Sequence, residues 1–312
     1  MINKLYLLLL MVFFSSHFQS LVDEDPLPTL GDYSSASISL SGEYSLGRIW
    51  LSMYRGSTKE HSDPLMRTYL EDLIYRLSET SEVRDRRFEF IILEDKTINA
   101  FAAPGGIIGI NLGMFLNTEK EGELASVMCH ELAHLSQRHY ARSQNKVSPL
   151  ANALMVLGSI AVAAASRNPE AILIAPAAMQ QMSINFTRSN EKEADRIGFN
   201  NLVKAGFNPD DMTMMFQRMQ SKYQNEDSEQ FSYLMTHPLP SERLSDMRIR
   251  ADGLEKTSQN SYRDNIDFYF MQKRAEIWAN KDLKKLIRKY KKDQKSSNKN
   301  ISSSGSYGLS LA

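Results

Sequence analysis

Residues 125–143 read ASVMCHELAHLSQRHYARS, and the five residues HELAH at 130–134 decide how the rest of the chain is read. A helix turns about 100° per residue, so positions four apart lie on one face, one turn apart. His130 and His134 can then aim two imidazoles at one ion, with Glu131 beside them to hold a water and take its proton. The arrangement requires a helix. Leu124, Val127, Met128, Leu132 and Leu135 recur at helical spacing, and no Pro interrupts the run to about Ala141. Thr118 followed by Glu121 matches a T-x-x-E capping box, which predicts the helix start.

Two imidazoles do not complete a catalytic metal site, which uses three protein ligands and keeps one position for water. The stretch RSNEKEADRIGF at 188–199 predicts a second helix, ending near Gly206. Glu191 and Asp195 lie four apart on one of its faces. Glu191 is the expected third ligand. Asp195 is spaced to accept Nδ1–H from a ligand histidine and so fix its tautomer. Glu193, two residues from Glu191, projects from the opposite side. Cys129 is the only cysteine, so no internal disulfide forms; it points about 100° away from His130 and is expected in the core.

The 312 residues are 42% hydrophobic and 24% charged, enough for a real core in one or two domains. A net charge of zero points away from nucleic acid as a partner. The charge is unevenly spread, however: residues 263–299 carry twelve Lys/Arg against five Asp/Glu. At the N-terminus, Lys4 and the apolar run Leu5 to Phe14 have the pattern of a secretory signal peptide over residues 1–20, with an uncleaved anchor as the alternative. The expected location is periplasmic or secreted, with association to a membrane as a further expectation.

Residues 21–45 read as an extended leader, Leu46–Tyr54 and Pro64–Ser78 as helices, and Phe88–Leu93 as a strand. Pro104-Gly105-Gly106 predicts a hairpin pairing Ile98–Ala103 with Ile107–Asn111. The apolar runs 150–165 and 171–179 are each shorter than a bilayer span, and are read as buried or site-covering helices rather than transmembrane ones. Asp210 opens a further helix, and Ser241 is the expected N-cap of the next. Asn265–Trp278 and Asp282–Lys292 are amphipathic, giving one helix pair, and residues 295–312 read as a disordered tail.

The order HELAH, then NEKEAD at 190–195, then THPLPSER at 236–243, with INAFAAPGGIIGIN at 98–111 before them, resembles the M48 family of zinc metallopeptidases, and within it the periplasmic BepA-like branch. The resemblance runs over residues 26–253. It implies an α+β fold: a mainly helical zincin-type metalloprotease domain over 21–253, a small sheet edging the active site, and a short helical extension over 254–294. It implies one zinc ion per chain on His130, His134 and Glu191, with Glu131 as general base. His237 is implied near the site, either as a fourth ligand or as a donor to the oxyanion, and Arg243 as a stabiliser of developing negative charge. Substrates are polypeptides, misfolded or envelope proteins, whose strand would add along Asn99, Ala100, Phe101 and Ala102. A chaperone-like binding module that rarely cleaves is the alternative. Partners in outer-membrane assembly are implied as well, and the basic tail suggests contact with anionic membrane. BepA-like proteins carry a helical-repeat array after the protease domain; about 59 residues follow residue 253 here, too few for such an array.

Overall fold

The computed structural model describes residues 38–144, 187–225, 232–254 and 262–312. The expectations for the leader peptide 1–20 and the apolar runs of 150–182 lie outside these residues. Of the extended stretch expected over 21–45, the last residues are helical: α1 spans Leu40–Ser57, and the Ser39 side chain caps it by accepting from Gly42 N. Helix α2, Pro64–Glu79, is capped by Asp63, which accepts from the backbone of Leu65 and Met66. Pro64 sits in the first turn, where its missing N–H leaves nothing unpaired. Met66, Leu70, Leu73, Ile74 and Leu77 form the face that α2 buries.

Three strands form one sheet in the order β1-β3-β2: β1 is Glu89–Leu93, β2 Ala100–Ala103 and β3 Ile107–Asn111. The expected hairpin is present, β2 antiparallel to β3, and β1 joins β3 in parallel. Gly105 and Gly106, at φ 78° and 75°, supply the left-handed conformations that the turn needs. β3 is buried along its whole length, as a central strand covered on both faces must be.

After the short α3, Leu112–Asn117, comes α4, Glu121–Ser136, the helix that carries HELAH. It begins differently from the capping-box expectation. Thr118 closes α3 instead, its Oγ1 donating to Met114 O. Lys120 holds the N-cap position of α4, and Glu123 reaches back to accept from Glu119 N at 2.7 Å. Every residue of α4 from Glu121 to His134 is buried. The expected continuation to Ala141 also fails: Arg138 adopts φ 50°, and the chain restarts as α5, His139–Gln144. The Arg138 guanidinium anchors this break, with Nε 3.0 Å from Glu43 Oε2 and a further bond to Ile38 O.

Helix α6, Arg188–Lys204, lies along α4. Gly198 makes that approach possible, since a Cβ there would stand 3.0 Å from Cys129 O and from His130 Cα. Then follow α7, Asp210–Asn225, α8, Ser232–Thr236, and α9, Ser241–Asp252. Pro240, rather than Ser241, occupies the N-cap of α9; Ser241 is its first helical residue.

The C-terminal part forms three helices rather than one pair and a disordered tail: α10, Ile266–Ala279, α11, Leu283–Asp293, and α12, Lys299–Leu311. The Ser/Gly content of 299–311 reads as low complexity, but Ser304, Gly305 and Gly308 are the buried face of α12. A Cβ on Gly308 would come within 2.9 Å of the Tyr290 ring, so small residues let α12 lie directly on α11. Helix α10 docks on the main body through Arg274 Nε, 2.5 Å from Asp63 Oδ2, and Gln272 Nε2, 2.7 Å from Thr118 O. No helix among the described residues is long and apolar enough to cross a membrane.

Candidate metal centre

His130 and His134 project from one face of α4 with their Nε2 atoms 3.0 Å apart. Glu191, in the first turn of α6, faces them: Oε2 lies 3.4 Å from His130 Nε2 and Oε1 3.4 Å from His134 Nε2. His237, just after α8, completes the group with Nδ1 3.0 Å from Glu191 Oε1 and 3.4 Å from His130 Nε2. One ligand atom from each of the four lies within 4.8 Å of the others, and all four residues are buried.

The closest spacings are those of a tetrahedral ion, and the whole set lies within 4.8 Å. Ligands at about 2.0–2.1 Å from zinc stand roughly 3.3 Å from each other, and the contacts above run from 3.0 to 3.4 Å. The donor set, imidazole nitrogen with one carboxylate, is the one zinc takes. Beside it the Glu131 carboxylate is buried, and neither of its oxygens has a hydrogen-bond partner. A buried carboxylate left so is aimed at something that enters the site. His237 Nε2 lies 3.6 Å from Glu131 Oε1.

A shell of further side chains orients the ligands. His130 Nδ1 lies 3.0 Å from Asp195 Oδ1, the contact expected from the four-residue spacing of Glu191 and Asp195. Asp195 is in turn gripped by Arg243, whose Nε and second terminal nitrogen donate to its two oxygens at 2.6 and 2.7 Å. The remaining Arg243 nitrogen lies 2.9 Å from Glu191 Oε2 and donates to Pro238 O at 2.6 Å. All three guanidinium nitrogens are engaged by the protein, so Arg243 ties Asp195, Glu191 and the His237 loop together.

Electrostatics follow from this packing. Burial works to lower the His130 pKa, yet hydrogen bonds donated to the Asp195 and Glu191 carboxylates raise it to about 9. Burial drives His134 well below the usual imidazole value, toward the neutral form a metal ligand requires. Burial works against ionised Glu191 and Asp195, but His237 and the other histidines hold Glu191 well below the usual carboxylate range, and Arg243 and His130 hold Asp195 low. Glu131 goes the other way, raised by burial.

Two further residues, not anticipated from the sequence, belong to the site. His139 Nδ1 stands 2.8 Å from His134 Nδ1, and its Nε2 contacts Glu193, which is itself paired with Arg142. Glu193 is thus absent from the ligand group but supports it at one remove. The Tyr233 ring stacks on His237 with centroids 4.6 Å apart. Tyr233 lies four residues before His237, one helical turn, and that spacing was available as a signal. No such signal existed for His139, because the left-handed Arg138 intervenes.

Of the proposed substrate residues, Phe101 packs inward over Gly109 and edge-on against Trp50 and Tyr54. Asn111 N donates to Asn99 O, so the backbone groups of Asn99 and Phe101 turn toward β3. By the alternation of an antiparallel ladder, Ala100 and Ala102 turn theirs to the sheet edge.

A mainly helical α+β body with HExxH on a buried helix and a glutamate on the next long helix defines the zincin-like metallopeptidases. The model of peptidase family M48 matches residues 64–251, and the chain belongs to that family. Its similarity to the Beta-barrel assembly-enhancing protease of Yersinia pestis is 37% identity over 252 residues, 78% of this chain and 51% of that protein. The protein of the same name from Escherichia coli (strain K12) is 35% identical over 260 residues, 80% and 52% of the two chains. These identities fit the BepA-like branch. The Mitochondrial metalloendopeptidase OMA1 of Schizosaccharomyces pombe is 27% identical over 197 residues, 61% of this chain and 56% of that one. The chain spans about half the length of the bacterial relatives it matches.

Proposed function

We propose that this chain is a zinc-dependent endopeptidase whose resting site is closed by His237. The observation that carries this reading is the convergence of His130, His134, Glu191 and His237 within 4.8 Å, beside the unpartnered Glu131 carboxylate. Bound zinc would polarise a scissile carbonyl and lower the pKa of water to about 7. Glu131 orients the attacking water and takes its proton, a task that its burial-raised basicity favours. Asp195 and Arg243 keep His130 and Glu191 in register while charge moves. A substrate strand adds to the β2 edge through the backbone of Ala100 and Ala102. His237 withdraws to admit substrate and then stands close enough to donate to the oxyanion.

The substrates in this reading are misfolded or envelope polypeptides, and the partners are outer-membrane assembly proteins. The name of the bacterial relatives, Beta-barrel assembly-enhancing protease, supports the assembly partners. The working location is the periplasm, after loss of a leader over residues 1–20. Residues 21–253 act as the protease domain and 254–312 as a helical extension.

A chaperone-like module that holds metal and polypeptide but rarely cleaves is the second reading. The 3.0 Å approach of His237 Nδ1 to Glu191 favours it, since a filled fourth position blocks water. Zinc content and casein cleavage of the wild type and Glu131→Gln test the proposal. The isosteric amide should retain zinc and lose turnover. Undiminished cleavage by zinc-replete Glu131→Gln rejects Glu131 as the base. A zinc-loaded wild type that binds unfolded casein without cutting it, and whose His237→Ala form is also inert, favours the second reading.

A further inference from the structure

We infer that the exposed face of α11 is a docking surface for an anionic lipid bilayer. From Lys281 to Lys299 the chain carries nine Lys/Arg and two Asp. Were this stretch a loose tail, its charges would be free to spread into solvent. It is instead an ordered helix, with Leu286 and Tyr290 buried beneath it. Lys284, Arg288 and Lys291 recur at i, i+4 and i+7 on the outer face, with Lys285 and Lys292 alongside and Lys295 just beyond, all exposed.

The nearby carboxylates are already committed. Asp282 caps α11 by accepting from Lys285 N, and Asp293 pairs with Lys273 Nζ at 2.7 Å. Glu276 takes Lys289. Among the described residues, none of the six outer cations has a carboxylate within 4.0 Å. Like charges at helical i, i+3 and i+4 spacing repel, so the fold holds together a field that an external anionic partner would relieve.

The shape of the face selects the partner. It is the outer side of a single helix, with no exposed aromatic side chain to stack on bases; the one aromatic residue of α11, Tyr290, is buried. Leu283, 43% exposed at the start of the helix, offers an apolar side chain to sink below head groups. A flat array of lipid phosphates complements this surface. Helix α10, which carries the bundle, meets α4 at its first turn, where Asn265 N donates to Glu121 Oε2. His130 lies about 14 Å further along that helix, so the bundle meets α4 at the end away from its metal ligands.

Vesicle sedimentation of the full chain tests the assignment, with phosphatidylcholine vesicles compared with vesicles containing phosphatidylglycerol. The chain should partition onto the phosphatidylglycerol vesicles at low salt, stay free of the neutral ones, and release at molar salt. The combined variant Lys284→Gln, Arg288→Gln, Lys291→Gln and Lys292→Gln should lose partitioning by roughly 100-fold or more. Its circular dichroism melt should match the wild type, since all four side chains point to solvent. Partitioning that survives in the folded variant overturns the proposal, as does equal binding to neutral vesicles. So does tight binding to duplex DNA without any vesicle association.

Discussion

His139 Nδ1 stands 2.8 Å from His134 Nδ1, while His139 Nε2 stands 3.2 Å from Glu193 Oε2. One proton arrangement satisfies both contacts: His134 Nδ1–H donates to His139, and His139 Nε2–H donates to Glu193. That arrangement leaves His134 Nε2 bare toward the metal. His139→Ala is expected to weaken zinc binding by about 10–100-fold, as loss of a ligand-orienting partner does elsewhere. Glu191→Ala should be worse and Glu193→Ala milder, because one removes a ligand and the other only a support. Titration against a chelator ranks the three. An unchanged zinc affinity in His139→Ala removes this assignment.

For His237→Ala the direction of the effect is diagnostic. If His237 closes the resting site, the variant keeps zinc through the other three ligands and cleaves casein faster than the wild type, with self-cleavage as a side reaction. If its main work is to steady the oxyanion, turnover falls by about 100-fold or more with zinc unchanged. The proximity of His237 Nδ1 to Glu191 leads us to expect the gain.

Gly198→Ala should damage the metal centre without touching a ligand. Its new Cβ would stand 3.0 Å from the backbone at Cys129 and His130, so α6 must move away and take Glu191 and Asp195 with it. A loss of about 1–3 kcal/mol in stability is expected for such overpacking, together with weaker zinc binding. Gly56→Ala is the control, since its Cβ meets nothing within 4 Å. A melt and a zinc titration of both proteins compare them; identical behaviour would falsify the close-approach argument.

Asp211 predicts a pH dependence. Burial raises its pKa from 3.8 to about 7. Between these values the native state binds more protons than the unfolded one, so this group's contribution to stability falls as pH rises through the window and is flat above it. Asp211→Asn lifts the penalty. At about pH 8 the variant should be more stable than the wild type by on the order of a few kcal/mol, at about 1.4 per pKa unit, and melt correspondingly higher. The difference should close as pH approaches 4. A constant difference across the range contradicts the shift.

The helix bearing His130 and His134 was legible because its signal is local. Apolar spacing and the absence of Pro depend only on neighbours in the chain, and so does the pairing of Glu191 with Asp195. The β2–β3 hairpin was legible for the same reason, through Pro104, Gly105 and Gly106. The capping of α4 was misread because Thr118 had a competing use, as the cap that ends α3. The tail was misread because Ser and Gly lower intrinsic order in isolation, whereas a packed interface rewards their small size.

By itself, then, the sequence determined which residues can share a helix face, and from that a candidate ligand set of two histidines and a glutamate. Tertiary structure decided which atoms meet. Gly198 sets the depth at which α6 meets α4, and hence the 3.4 Å approach of Glu191 to both imidazoles. The left-handed turn at Arg138 brings His139 back under His134. The convergence of Asp195, Glu191 and Pro238 on one guanidinium makes Arg243 a clamp on the ligand group. The physical reason is one of range. Spacing along a helix is fixed by backbone geometry within a few residues, while contacts between helices depend on side-chain volume and charge at positions tens of residues apart.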